Sequence, residues 1–168
     1  EAGADGTRVH LFGSGAILPG TLEAAELLAE HMDVTADVWS ITSYNELARD
    51  ARDCERWNMR HPGRKERVSY LTSQLGSDDC PVVSASDYVC AVADQLSSYV
   101  GRRMMSLGTD GFGRSETREV LREHFEVDAK SIAFAAVYTL VQDGKLKKAA
   151  LKKAAKAFDI DPDKQRAW

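Results

Sequence analysis

At 168 residues, with 43% apolar and 29% charged side chains, the chain has the length and balance of one domain with its own hydrophobic core. A net charge of −4 gives no global attraction for nucleic acid or an anionic membrane, and no apolar run approaches the roughly 20 residues of a membrane span. Cys54, Cys80 and Cys90 are odd in number, lack CxxC spacing, and follow an N-terminus without a signal-peptide plan, so they read as reduced, packed thiols of a cytoplasmic protein.

Residues 1–8 read as a linker or chain end. Val9-His10-Leu11-Phe12 is a short apolar run stopped by Gly13-Ser14-Gly15, the pattern of a buried strand and a tight turn. Pro19-Gly20-Thr21 then opens a helix with Thr21 as the expected cap. Leu22, Ala25, Leu28, Ala29 and Met32 recur along it at helical spacing. Ala36 to Thr42, carrying Val38, Trp39 and Ile41, is the second strand. Strand, helix, strand over this span is a βαβ unit, which requires a parallel pair and a right-handed crossover. Gly13-Ser14-Gly15 does not complete a dinucleotide fingerprint, because Leu18 stands at the third glycine position and Thr42-Ser43 where a ribose-binding acid belongs.

Asn45 to about Arg60 reads as a charged helix with Leu47, Ala48, Ala51, Cys54 and Trp57 on its buried stripe. Its charged pairs three and four residues apart suit a solvated, self-paired face. A second reading is an interface built from Arg52, Glu55, Arg56, Trp57, Arg60 and His61, since a tryptophan among guanidinium groups has the composition of a binding hot spot. Pro62-Gly63 ends the element, a charged loop follows, and Val68 to Leu75 is helical or irregular.

Pro81 to Ala85 is the third strand, and a helix capped by Ser86 or Asp87 runs to about Val100, with Val89, Val92, Ala93, Leu96 and Tyr99 inward. Met104 to Leu107 is the fourth strand. It delivers the turn Gly108-Thr109-Asp110-Gly111-Phe112-Gly113-Arg114-Ser115, in which Gly111 or Gly113 is expected at positive φ and Asp110 holds the turn through its side chain. Ser115 is the expected cap of the amphipathic segment to Phe125. Asp128 caps a further helix that stops at Gly144, and Lys145 to Phe158 is a last helix with a solvated lysine face. The tail 159–168 reads as polar and frayed, with Trp168 as its one anchor.

The histidines His10, His31, His61 and His124 lack ligand spacing. There is no GxSxG, HExxH or P-loop, so no catalytic, cofactor-binding or metal-ligating set is assigned. His10, inside a strand, reads as a satisfied core histidine.

Two stretches carry a resemblance. Asp110, Phe112, Gly113 and Ser115, followed by an amphipathic helix and Phe125-Glu126-Val127-Asp128-Ala129, resemble the C-terminal domain of the transketolase family of thiamine diphosphate enzymes. Glu46-Leu47-Ala48-Arg49-Asp50, Asp53 to Met59 and His61-Pro62 narrow this to the homodimeric bacterial class of pyruvate dehydrogenase decarboxylating components. The resemblance spans residues 9–158. It implies a three-layer α/β/α domain with a mostly parallel sheet and a fifth, edge strand that this sequence does not place, the segment before Val9 being a candidate. It also implies a non-catalytic assembly role. Thiamine diphosphate and magnesium would belong to other domains, because the GDG…NN segment that holds them in the family is missing here. The implied partners are the remaining parent chain, a homodimer mate and the dihydrolipoyl acetyltransferase core. A free-standing α/β domain that binds a small ligand at the Gly13 and Gly108–Gly113 turns is the alternative.

Overall fold

A computed structural model of the protein describes residues 6–167. Four strands form one sheet in which every pairing is parallel: β1 (Thr7–Gly13), β2 (Val34–Ser40), β3 (Val82–Ala85) and β4 (Met104–Leu107), in the order β2-β1-β3-β4. Leu11 lies opposite both Val38 and Val83, and Val83 opposite Met105, so the apolar centres of the strands are in register. Parallel strands need crossovers, and helices supply them on both faces.

Side chains alternate across the sheet and divide the core in two. Val9, Leu11, Val83 and Ala85 face α1 (Leu18–Met32), α6 (Ala129–Gln142) and α7 (Ala149–Ala157). Phe12 and Val82 face α2 (Tyr44–Arg60), α3 (Tyr70–Leu75) and α4 (Cys90–Asp94). The remaining helix, α5 (Arg118–His124), lies beyond the C-terminal end of β4. Helix α6 has the most buried residues of the helices: Ile132, Ala133, Ala136, Val137 and Leu140 are all buried, and small side chains let it sit close to α1. The expected three-layer α/β/α architecture is the one observed. Among the described residues the sheet has four strands, so the fifth strand is not among them.

Several expected boundaries move. Helix α1 starts at Leu18, with Pro19 in its first turn, and Thr21 is not a cap. Thr21 is buried inside the helix, where its hydroxyl donates to the Ile17 carbonyl at 3.2 Å. The buried stripe is Thr21, Ala24, Leu28 and Met32, and Leu22 is 51% exposed. The segment after β3 holds only the short α4, with Val89 as its N-cap residue and 46% exposed, followed by turns to Val100. Thr117, not Ser115, caps α5, its hydroxyl accepting from the Val120 N–H. Asp128 caps α6 as expected, accepting from Ser131 N at 2.9 Å, and Gly144 follows its end at φ +72°. Helix α7 begins at Ala149 and not at Lys145, which lies in the turn after Gly144 and pairs with Asp79 at 2.5 Å. The start of the tail is anchored: Ile160 packs on the core, and Lys164 donates to the Glu123 carbonyl. Trp168 lies outside the described residues.

Candidate interface and the glycine turns

Helix α2 is fixed at its start by Ser43, whose hydroxyl accepts from Glu46 N at 3.2 Å. Ala48 and Ala51 bury one face, and the charged residues spread over the rest. Arg52 donates to Gln95 Oε1 at 3.4 Å, and Glu55 accepts from the Tyr99 hydroxyl at 3.3 Å, so these two tie α2 to the α4 segment. Arg56 and Arg60 are exposed. Trp57 is half-buried and stacks face to face on His61, with ring centroids 4.3 Å apart at 11°. The His61 ring is held in that pose by a 2.8 Å hydrogen bond between Nδ1 and the Trp57 carbonyl.

The guanidinium over the indole belongs to neither Arg56 nor Arg60. It is Arg67, 4.3 Å from the ring centroid, brought in by the loop after α2. Asn58 fixes that loop by a reciprocal pair, donating to the Arg67 carbonyl at 2.9 Å and accepting from Arg67 N at 2.8 Å. The result is a His61–Trp57–Arg67 sandwich at the surface, with Met59 and Val68, 73% and 62% exposed, among its chain neighbours. Cation–π contacts of this exposed kind contribute about 0.5–1 kcal/mol. Spacing within α2 could not show Arg67; only the Asn58 clamp explains it.

The turn after β4 joins two loops. Thr109 N donates to the Tyr88 carbonyl at 2.9 Å, the Thr109 hydroxyl donates to the Asp87 carbonyl at 2.9 Å, and Asp110 Oδ2 accepts from Cys90 N at 3.2 Å. Gly108 sits so close to the β3–α4 loop that a Cβ there would lie 2.5 Å from the Tyr88 carbonyl oxygen. Gly111 adopts φ +106°, as expected of one of the two glycines, whereas Gly113 has open space around it. Phe112 is 90% exposed, and Ser115 is exposed and caps nothing. Burial, with Asp110 next to it, pushes the Cys90 thiol up to about 12. The Cys54 and Cys80 thiols are also raised, burial being the leading cause in both.

The expected core histidine is present. His10 is 2% exposed, accepts from Trp39 Nε1 at Nδ1 (3.1 Å), and donates from Nε2 to Asp78 at 3.1 Å. Asp78 also accepts from Cys80 N and from Arg102. His10, Asp78 and Cys80 are the one group among the described residues that brings metal-ligand types together. The donor chemistry does not suit a metal ion. The Trp39 N–H makes Nδ1 an acceptor, which leaves the proton on the nitrogen that would ligate, and Arg102 already supplies the cation beside Asp78.

Residues 1–128 match the transketolase-like TK C-terminal domain family. The chain belongs to that family. Across 94% of its length it is 48% identical to the pyruvate dehydrogenase E1 component of Escherichia coli K12, over 158 residues. It is 43% identical over 159 residues to the E1 component of Buchnera aphidicola from Acyrthosiphon pisum, and 42% identical over 158 residues to that of Pseudomonas aeruginosa. The chain spans 18% of the length of these curated relatives. Such relatives do not favour the reading of a free-standing ligand-binding domain. No helix among the described residues is long and apolar enough to cross a membrane.

Proposed function

We propose that this transketolase-like C-terminal domain, spanning residues 9–158, is the non-catalytic assembly domain of a pyruvate dehydrogenase E1 component. The observation that carries the reading is similarity over 94% of this chain to only 18% of each E1 relative, which leaves the greater part of such an enzyme to other domains. In that parent, thiamine diphosphate with magnesium, held elsewhere, supplies the chemistry that decarboxylates pyruvate and acetylates lipoyl groups. The parent works as a cytoplasmic homodimer within a multienzyme complex on the route from glycolysis, with the dihydrolipoyl acetyltransferase core as its partner.

This chain's own contribution is shape. Arg52 and Glu55 brace α2 against the α4 segment, and the exposed guanidinium groups of Arg56 and Arg60 stand beside the Trp57–His61 stack. That combination provides burial from the ring and bidentate pairing from the arginines, so this face is the contact with the rest of the parent or its mate. Arg56→Ala with Trp57→Ala should destabilise the 168-residue chain by about 1–2 kcal/mol, the loss of one stacked, half-buried indole. Sedimentation of the full-length E1 carrying both changes should show dimer loss well beyond that cost. The 168-residue chain given pyruvate, thiamine diphosphate and magnesium should release no carbon dioxide above a protein-free control. An unfolded domain with unchanged dimerisation would make these residues core and remove the interface, and carbon dioxide release would remove the non-catalytic reading.

A further inference from the structure

The strand order reverses direction between β1 and β3, and in open parallel sheets ligands bind beyond the C-terminal ends of the strands at such a point. A crevice of about 500 Å³ opens there, between the turn after β1, the loops after β3 and β4, and helix α5. That volume lies within the usual range for small-molecule sites. Its floor is apolar: Ile17 and Val127 are buried, and Leu121 and Phe125 are half-buried.

The rim is cationic. Arg114, Arg118 and Arg122 line it against the single carboxylate of Asp87, an inversion of sign in a chain whose net charge is −4. Arg118, Leu121, Arg122 and Phe125 fall at positions three, four and seven apart and so share one side of the helical segment. The acids of α5, Glu119 and Glu123, line a different groove, beside α6. Arg122 borders both grooves, whereas Arg118 lines the crevice alone. Arg122 is pinned across the crevice mouth, donating to the Ala16 carbonyl at 2.8 Å, and Arg114 meets His124 Nδ1 at 3.2 Å. Arg118 is exposed and makes no hydrogen bond or ion pair with any described residue.

We propose that this crevice binds a phosphate monoester carrying an apolar or aromatic group. The phosphate sits between Arg114 and Arg118, whose planar guanidinium forks match phosphate oxygens, and the apolar group lies on Ile17, Leu121 and Phe125. A dianion suits three guanidinium groups opposed by one carboxylate better than a single negative charge does. The site is separate from the α2 face and stands whether or not the chain serves the larger enzyme.

The test is a titration of the ¹⁵N-labelled 168-residue chain, read by amide shifts. Phenyl phosphate should move amides of residues 15–17, 109–114 and 118–127 with a Kd on the order of 1 mM, as expected for a ligand of that size. Inorganic phosphate and benzyl alcohol should each bind at least about tenfold more weakly, since each lacks one half of the recognition. Arg118→Gln, at an exposed side chain, should weaken phenyl phosphate by about tenfold through loss of a charge-assisted pair. Asp87→Asn should tighten it by removing the one opposing charge, and Lys152→Gln with Lys153→Gln on α7 should leave it unchanged. Inorganic phosphate binding as tightly as phenyl phosphate, an Arg118→Gln titration matching the unaltered chain, or equal weakening by the α7 pair would each overturn the proposal.

Discussion

Three glycines in the turn after β4 should respond differently to the same added methyl group. At Gly108 an alanine Cβ would lie 2.5 Å from the Tyr88 carbonyl oxygen, 2.7 Å from Cys90 N and 3.1 Å from Cys90 Sγ. The two nearest atoms are backbone, so no side-chain rotation relieves the overlap. The loops must part, and overpacking of this kind costs about 1–3 kcal/mol. Parting also loosens the Thr109 N–H bond to Tyr88 and the Cys90 N–H bond to Asp110, each contributing about 1 kcal/mol net. Gly108→Ala should therefore lose about 2–4 kcal/mol, a drop of roughly 5–15 °C in Tm for a domain of this size. Gly111→Ala should lose on the order of 1 kcal/mol, because φ +106° strains any Cβ. Gly113→Ala should be neutral or gain about 0.5 kcal/mol, having no atom within 4 Å and no positive φ. Thermal denaturation of the three variants checks the order. A Gly108→Ala protein melting with the wild type, or a Gly113→Ala protein falling as far as Gly108→Ala, would refute the close-approach account.

Asp78 gives the acid limb of stability a specific source. Its burial works to raise its pKa, but the Cys80 N–H, His10 and Arg102 together override that and hold it below the usual carboxylate range. A carboxylate depressed in the folded state stabilises the fold above its unfolded value near 4, and that stabilisation is lost as pH falls through the folded value. Urea midpoints measured from pH 6 to 2.5 should decline below about pH 4, and Asp78→Asn should lower stability at neutral pH while flattening that decline; an unchanged acid limb in the variant would assign it to other groups. Cys90 offers a chemical readout: burial first, then Asp110, raises its thiol, so the folded protein should alkylate it slowly at pH 8, and Asp110→Asn should speed that reaction. An Asp110→Asn protein that retains its Tm and reacts no faster would show that burial alone governs the thiol.

What could be read in advance follows the range of the forces involved. The four parallel strands were legible because each is a short apolar run next to a turn residue, and α6 because Asp128 and Gly144 bracket an apolar repeat. The caps at Thr21 and Ser115 failed for a local reason. Pro19 can occupy the first turn of a helix, which moves the start of α1 upstream and places Thr21 in the interior, and Thr117 offers the same hydroxyl as Ser115 two residues later. Residue type cannot separate such neighbours; the direction of the entering chain does. The site residues were harder for a different reason. Trp57 was identifiable as an aromatic beside cations, yet its cation partner is ten residues on, carried by a loop that Asn58 clamps. His10 was identifiable as a core histidine, yet Trp39, Asp78 and Arg102 reach it or its partner from three other parts of the chain, so its network exists only once the sheet has formed. The arginine rim over an apolar floor has the same character. Arg118, Leu121, Arg122 and Phe125 are a repeat within one segment, but the crevice they line needs the β1 turn and the β3 loop opposite, and only the strand order β2-β1-β3-β4 brings those together. Local periodicity thus reveals which face of an element is chemically distinct, and topology decides what that face meets.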